Sequence, residues 1–311
     1  MESRLPKRTR TYKTHSLDST AWDGFEPRAG DVIITTALKA GTTWMQTIVG
    51  NLIFQDQKMP GPLWQLTPWL DSKGGDPLED KLKLLESQTH RRFLKTHLPL
   101  DAMPYFPVVK YIFVGRDGRD VFMSLWNHYR HLEPDVIDWF NSYPERADDP
   151  FPVCPDDIHE FFQMWMTKSW FTWEYDGYPF WSLFYHLKSW WGYRHLPNIL
   201  FVHFNDLLAD LGGQMRRIAK YLEIEIDEAV WPALVDKATF KTMKANAESV
   251  VFGGGNFLTG GAQRFLHKGT NGRWKGVLTE DELNQYDKVA TERLSPDSKR
   301  WLEFGASAWI D

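Results

Sequence analysis

Short apolar runs that alternate with helical patterns are the feature that most limits how this chain can fold. Residues 31–36, 92–96, 108–114 and 198–204 have the length and composition of buried strands. Helical patterns follow at 44–53, 120–129 and 206–222. This strand–loop–helix order predicts an α/β fold, with a central parallel sheet flanked by helices. In such a sheet, ligands bind at the carboxyl ends of the strands.

The overall composition excludes several classes of protein. The chain has 311 residues with a formal net charge of −5, which argues against nucleic acid as a partner. No stretch approaches the roughly 18 apolar residues that a membrane-spanning helix needs. The single cysteine, Cys154, cannot form an intrachain disulfide and fits a reducing compartment. We therefore expect a cytoplasmic protein without a transmembrane segment.

No repeat, low-complexity tract or long linker divides the chain. We expect a single domain over residues 21–311, preceded by a flexible arm over residues 1–20. Basic residues mark this arm, but no apolar run follows them, so it lacks the pattern of a secretory signal.

The loop after the first strand, Ala37–Trp44, leads directly into a helix. A helix N-terminus attracts anions through its unpaired N–H groups and its dipole. Gly41 lets the backbone approach a ligand closely, Thr42 and Thr43 add hydroxyl groups, and Lys39 adds a charge. These features predict a P-loop-like cradle for phosphate or sulfate, although an ordinary turn with a surface lysine would have the same sequence. The Walker pattern is absent, because Lys39 precedes the glycine.

A second loop of the same kind follows the strand at 108–114. Arg116 and Arg119 flank a glycine at the entrance of a helix that contains Ser124. Arginine can bind phosphate oxygens with two parallel hydrogen bonds. Two such loops at one edge of the sheet would suit a ligand with two separate phosphate-type groups, whereas a solvated charge cluster is the simpler alternative.

Between these loops, Lys95-Thr96-His97 ends a short strand. A histidine can accept a proton from a hydroxyl nucleophile near neutral pH. Most histidines are structural, and this chain has ten. His97 is singled out by its position at the end of a strand, where the ligand is expected.

These segments together resemble the cytosolic-type sulfotransferase family, which transfers a sulfuryl group from 3′-phosphoadenosine 5′-phosphosulfate (PAPS) to a hydroxyl or amine. The 37–44 loop resembles the family's Tyr-Pro-Lys-Ser-Gly-Thr-Thr-Trp, with Ala37-Leu38 for Tyr-Pro and Ala40 for Ser. Lys95-Thr96-His97 matches the family's catalytic segment. Arg116 and Ser124 match its 3′-phosphate element.

Three later segments extend the resemblance, so that it covers residues from about 30 to 280. Residues 183–191 resemble a Trp-x-x-His-x-x-x-Trp-Trp helix, and 238–241 resemble a Thr-Ser-Phe-Lys stretch that holds adenine. Residues 266–275 resemble an Arg-Lys-Gly…Gly-x-Trp-Lys loop over the 3′-phosphate. Two departures stand out: His267 replaces the family's Arg, and Phe204 replaces a Tyr that contacts the cofactor.

The resemblance implies a role for each matching residue. His97 would be the general base, with Lys39 and Lys95 beside the transferred sulfuryl group. The residues implied to bind PAPS, or its product adenosine 3′,5′-bisphosphate (PAP), are Lys39, Ala40, Gly41, Thr42, Thr43, Trp44, Arg116, Ser124, Thr239, Phe240, His267, Lys268 and Gly269. No metal is required. The alternatives are a P-loop-like nucleotide kinase or other phosphotransferase, and a catalytically idle relative that binds nucleotide.

Aromatic segments are the only feature of the sequence that indicates the chemical class of the acceptor. The sequence does not indicate the oligomeric state. Candidate pocket walls are 64–69, Trp126, Trp139, Phe140 and 161–173. An aromatic wall would suit the hydroxyl of a small molecule such as a phenol, a steroid or a lipid, and a carbohydrate is also possible. Any single one of these rings could instead pack in the hydrophobic core and not line the pocket.

Overall fold

The fold is built on a parallel sheet, as the sequence predicts. The computed structural model describes residues 5–309. In this part of the chain, four strands pair in the order β2-β1-β3-β4. They are β1 Val32–Thr36, β2 Phe93–Thr96, β3 Lys110–Gly115 and β4 Ile199–His203. All neighbouring strands are parallel, so their carboxyl ends meet at one edge of the sheet.

Helices cover both faces of this sheet. They are α1 Thr42–Phe54, α2 Leu63–Leu66, α3 Leu78–Ser87, α4 Gly118–Tyr129, α5 Pro134–Asn141, α6 Ile158–Thr167, α7 Leu183–Trp191, α8 Phe204–Ala209, α9 Leu211–Tyr221, α10 Trp231–Lys237, α11 Phe240–Ala245, α12 Ala247–Val250, α13 Gly261–Phe265, α14 Glu280–Arg293 and α15 Pro296–Phe304. Short 3-10 helices span Ser19–Gly24, Leu100–Ala102, Pro144–Arg146, Phe252–Gly255 and Gly305–Trp309. None of the helices within residues 5–309 is long and apolar enough to cross a membrane.

Side chains alternate between two cores because successive residues of a strand point to opposite faces. Val32 and Ile34 pack with residues of α1, α9 and α10 on one face. Ile33, Tyr111 and Phe113 pack with residues of α7, α14 and α15 on the other. Burial on both faces explains why the strands appear in the sequence as continuous apolar runs rather than alternating ones.

The helix predicted over 206–222 is two helices, α8 and α9, that meet at Asp210. The Asp210 carboxylate accepts a hydrogen bond from the Gly213 N–H at 2.8 Å and so caps α9. A carboxylate that caps a helix, followed by two glycines with low helix propensity, favours a break at this point.

The segment expected to be a flexible arm, residues 1–20, packs against the domain over its second half. Tyr12 and Leu17 are buried. The Tyr12 ring lies 4.5 Å from that of Phe171, and its hydroxyl donates to a Glu174 oxygen at 2.8 Å. These contacts involve residues distant in sequence, which a local pattern cannot reveal. Residues 1–4 lie outside the described range.

Candidate active site

A cavity of about 610 Å³ opens at the carboxyl ends of β1, β2 and β3. Thirteen of the fifteen predicted site residues line it: Lys39, Gly41, Thr42, Thr43, Trp44, Lys95, His97, Arg116, Ser124, Phe240, His267, Lys268 and Gly269. The residues after three strands and those of the C-terminal loop therefore meet in one place.

The two remaining predicted residues do not line the cavity. Ala40 is buried in the core beneath the loop after β1. The Thr239 hydroxyl donates to the Asp236 carbonyl at 2.8 Å and accepts from the Thr242 N–H at 3.3 Å, which caps α11. Because α11 begins at Phe240, the cap at Thr239 fixes the direction of a ring that does line the cavity.

The loop after β1 presents the N-terminus of α1 to the cavity. Gly41, the residue before this helix, has φ +117°, which side-chain-bearing residues rarely adopt. A Cβ at Gly41 would also lie 3.1 Å from the Phe204 ring. Since glycine has no side chain to cap the helix, the first N–H groups of α1 are available to an anion.

Lys39 lies on this loop among other cations. Its Nζ is 3.6 Å from the centroid of the Phe265 ring. Burial, together with the nearby positive charges of Arg116, Lys95 and Arg273, lowers the pKa of Lys39 to about 7. An anion bound here would remove that repulsion and favour the charged lysine.

His97 has one ring nitrogen fixed by the backbone. Its Nδ1 lies 2.8 Å from the carbonyl oxygen of Thr36, which can only accept a hydrogen bond. Nδ1 therefore carries the proton, and Nε2 carries the lone pair. Trp69 packs edge-on to the ring at 5.0 Å. Burial and the charge of Lys95 lower the pKa of His97 to about 3, so the imidazole is neutral at physiological pH.

Asp71, which sequence analysis did not single out, holds the Trp69 ring that packs against Lys95. The Lys95 Nζ lies 4.8 Å from the centroid of the Trp69 ring, and burial lowers its pKa to about 8. Asp71 is buried and accepts hydrogen bonds from Thr96 Oγ1 at 2.5 Å, from Trp22 Nε1 at 2.8 Å and from Trp69 Nε1. Burial raises the pKa of Asp71 to about 6. Asp71 thus fixes the indole of Trp69, which packs against both Lys95 and His97.

Arg116 joins the loop after β1 to the C-terminal loop. Its guanidinium donates to the Lys39 carbonyl at 3.2 Å, to the Thr270 carbonyl at 3.1 Å and to Asn271 Oδ1 at 2.8 and 3.0 Å. It also lies over the Phe204 ring at 4.1 Å. Phe204, which replaces the Tyr expected from the resemblance, thus supports Arg116 through a contact between the face of the phenyl ring and the guanidinium.

Arg273 adds a cation beside His267 that sequence analysis did not assign to the site. Its Nη1 lies 3.4 Å from His267 Nδ1, and it lines the cavity. Burial and the charge of Arg273 lower the pKa of His267 to about 4, with further contributions from Lys268 and other cations. His267 is therefore neutral at neutral pH, and Arg273 supplies the positive charge at this position.

Two aromatic rings flank the end of the cavity nearest α1. Trp44 donates from Nε1 to the Ala238 carbonyl at 2.8 Å, which fixes its indole. Phe240 lies against Gly269, where a Cβ would approach the ring to 2.4 Å. Glycine at 269 therefore allows the C-terminal loop to approach this ring closely.

Only some of the predicted acceptor walls reach the cavity. Trp69, Trp139 and Phe140 line it. In contrast, Phe161 and Trp165 are fully buried in the core, so the prediction that 161–173 forms a wall is wrong. Trp126 does not line the cavity either, and packs on Phe161.

The other aromatic wall residues come from segments that sequence analysis did not assign to the acceptor site. They are His128, Phe180, Trp181, Phe252, Phe257 and Phe265. No sequence signal identifies them, because each belongs to a loop or helix end placed by long-range packing. Within the described residues, no group of three or more His, Cys, Asp or Glu side chains is arranged to hold a metal ion.

Comparison with known proteins agrees with this geometry. The sulfotransferase domain model matches residues 29–297. The chain is 31% identical to a glycolipid sulfotransferase of Mycobacterium tuberculosis over 98% of each protein. It is 28% identical to sulfotransferase 1A1 of Rattus norvegicus over 86% of this chain and 84% of the relative.

Solved structures show the same fold. Mouse sulfotransferase SULT7A1 complexed with PAP matches with a TM-score of 0.68 and 20% identity, over 92% of this chain and 93% of that one. Retinol dehydratase in a complex with retinol and PAP matches with a TM-score of 0.65 and 25% identity, over 89% and 84%. The matches do not favour the nucleotide-kinase alternative. The fold, the cavity and the matched sequence together establish that this chain belongs to the sulfotransferase family.

Proposed function

We propose that the cavity binds PAPS and directs its sulfuryl group to an acceptor hydroxyl, with His97 as the general base. One observation carries this proposal above the others. The Nδ1 proton of His97 is held by the Thr36 carbonyl, so the Nε2 lone pair is the available base in a cavity shared with Lys39 and the start of α1.

The side chains around the cavity fit the nucleotide. The first N–H groups of α1, with Thr42 and Thr43, would hold the 5′-phosphate. Arg116 offers a buried guanidinium to the 3′-phosphate. Further 3′-phosphate donors would be Ser124, His267, Lys268, Gly269 and Arg273. Trp44 and Phe240 would stack on the adenine. The PAP-bound relatives named above support this assignment.

The chemistry divides among three side chains. PAPS would supply an activated sulfuryl group for in-line transfer to the acceptor oxygen, and PAP would leave as the bond between sulfur and its 5′-phosphate oxygen breaks. His97 Nε2 would take the hydroxyl proton as that oxygen attacks sulfur. Lys39 and Lys95 would stabilise the negative charge that develops around the sulfuryl group. The low pKa values of both lysines in the free cavity mean that they gain charge as an anion binds.

The acceptor would be a small molecule with a hydroxyl group on an apolar body, such as a phenol, a steroid or a lipid. Supporting this, the rings of Trp69 and Trp181 lie beside His97, and Trp139 and Phe140 line the same cavity. The similarity to a glycolipid sulfotransferase is consistent with a lipid acceptor. A cytoplasmic location also belongs to this proposal, supported by the single cysteine, which fits a reducing compartment.

Transfer of radiolabelled sulfate tests the proposal. The protein would be incubated with PAPS labelled in the sulfuryl group and a panel of a phenol, a sterol, a glycolipid and an amine, in the presence of EDTA. We expect label in at least one hydroxyl acceptor without added metal. PAP binding without transfer to any acceptor would support the idle relative. Binding of ATP only with Mg²⁺, and not of PAP, would support the kinase.

A further inference from the structure

One polar side chain in the acceptor half of the cavity has no role in the chemistry described above. His128 lies in the last turn of α4, four residues after Ser124, and both line the cavity. Residues i and i+4 share a helix face and lie one turn apart. The face of α4 that offers Ser124 to the nucleotide therefore offers His128 to the neighbouring part of the cavity.

The ring of His128 is surrounded by apolar groups. Phe257, Phe265 and Phe180 pack around it, with ring centroids 5.7, 6.0 and 6.2 Å away. Phe265 is also the ring over which Lys39 Nζ lies, so a single phenyl ring separates the histidine from the phosphate loop. His128 is thus close to the reaction centre without belonging to the cradle for the nucleotide.

The two ring nitrogens of His128 differ in access. Nδ1 is buried and has no hydrogen-bond partner among residues 5–309. A buried N–H without a partner is rarer in proteins than a buried acceptor without one, so the proton belongs on Nε2. Burial, together with the charges of Lys39 and His97, lowers the pKa of His128 well below its usual value, so the ring is neutral. His128, which lines the cavity, therefore carries its one N–H donor at Nε2.

Desolvation of this donor by a bound acceptor molecule is costly unless that molecule accepts its hydrogen bond. Glu133 and Asp135 also line the cavity, but the charged groups that shift the pKa of His128 are Lys39 and His97. His97 is engaged by the reacting hydroxyl, and a charged lysine cannot accept a hydrogen bond. The partner that fits is an oxygen of the acceptor other than the one that attacks sulfur.

We propose that His128 is a specificity residue that donates a hydrogen bond from Nε2 to a second oxygen of the acceptor. The inference rests on the proposed function and narrows its substrate class. The acceptor would carry its reacting hydroxyl beside another oxygen, as in a sugar ring or a vicinal diol, on an apolar chain or ring system. A site built to pair with such an oxygen discriminates against the analogue that lacks it.

Matched alkyl probes test this inference. Sulfate transfer would be measured to dodecan-1-ol, dodecane-1,2-diol and dodecyl β-glucoside, which share an apolar chain and differ in their oxygens. For the wild-type protein we expect kcat/KM for at least one of the two oxygen-rich probes to exceed that for dodecan-1-ol by about tenfold or more, the worth of one good hydrogen bond. In His128→Phe this ratio should fall to about one.

Rescue and binding controls separate a specificity role from a structural one. His128→Gln places an amide N–H near the position of Nε2 and should restore most of the ratio. All three proteins should bind PAP with the same affinity. The inference would be overturned, and the proposed function left standing, if His128→Phe kept the preference for the oxygen-rich probes or if the wild-type protein had no such preference. A wild-type protein that binds PAP but sulfates no hydroxyl acceptor would overturn the proposed function, and this inference with it.

Discussion

Lys39 should take up a proton when the nucleotide binds. Burial and neighbouring cations lower its pKa to about 7 in the free cavity, so about half of the lysines are neutral at pH 7. A bound phosphate favours the charged form and raises that pKa toward its usual value. Lys39 should therefore contribute about half a proton of uptake when PAP binds at pH 7, because the free protein holds fewer protons than the complex. Lys95, whose pKa of about 8 leaves it mostly charged at pH 7, adds less.

The same linkage fixes how affinity depends on pH. A group whose pKa rises on binding contributes affinity that is full below its free pKa and is lost as pH increases above it. For a free pKa near 7 and a lysine that stays charged in the complex, the Lys39 contribution alone should increase the dissociation constant about 50-fold between pH 7 and pH 9, and Lys95 adds to this increase. This range lies above the second pKa of a phosphate monoester, about 6, so the nucleotide's own titration contributes little.

Isothermal titration calorimetry measures both quantities. PAP would be titrated into the protein in Tris and in HEPES, whose ionisation enthalpies differ, so that the difference in heat counts the protons. Lys39→Met should bind more weakly at pH 7 and lose the Lys39 contribution to uptake and to the slope. Lys268→Met is the matched control: Lys268 is an exposed cation of the same cavity, so its loss should weaken binding while the Lys39 contribution to proton uptake remains. Equal affinity at pH 7 and pH 9, with no proton uptake, would refute the reasoning.

Three further substitutions test other contacts. Asp71→Ala removes the acceptor of three buried donors and should lower the free energy of unfolding by about 3 kcal/mol or more, measured by urea denaturation; a change below 1 kcal/mol would contradict its supporting role. Arg116→Ala should weaken binding of PAP far more than binding of adenosine 5′-phosphate, and equal losses would reject the 3′-phosphate assignment. Gly269→Ala drives a Cβ into the Phe240 ring and should weaken nucleotide binding, whereas Gly276→Ala, with a similar φ but no atom within 4 Å, should not.

The sheet could be predicted because its determinants are local. Each strand is buried on both faces and therefore appears as a continuous apolar run. Three of the four predicted runs contain the observed strand, and the fourth, 108–114, ends one residue before β3 does. The helix 206–222 was predicted too long, because periodicity does not register a cap such as Asp210. The packed segment around Tyr12 could not be predicted, since its partners lie far along the chain.

The anion-binding half of the cavity was also predictable, because it is made by loops that directly follow strands. Parallel strands bring their carboxyl ends together, so Lys39, His97 and Arg116 had to meet. The half of the cavity expected to hold the acceptor is not made by loops that follow strands. Rings such as Phe257 and Phe265 reach it through the packing of the C-terminal segments, and the sequence offers no periodic signal that separates them from core residues such as Trp165.

A single-turnover comparison tests the central claim most directly. The wild-type protein and His97→Asn, each in excess over labelled PAPS and in EDTA, would be mixed with an acceptor, and the rate of label transfer would be measured. We expect transfer by the wild-type protein and a rate at least about 100-fold lower in His97→Asn, the usual contribution of a general base, with PAP affinity unchanged. Equal rates in the two proteins would contradict the role of His97, and no transfer by the wild-type protein would contradict the assignment as a sulfotransferase.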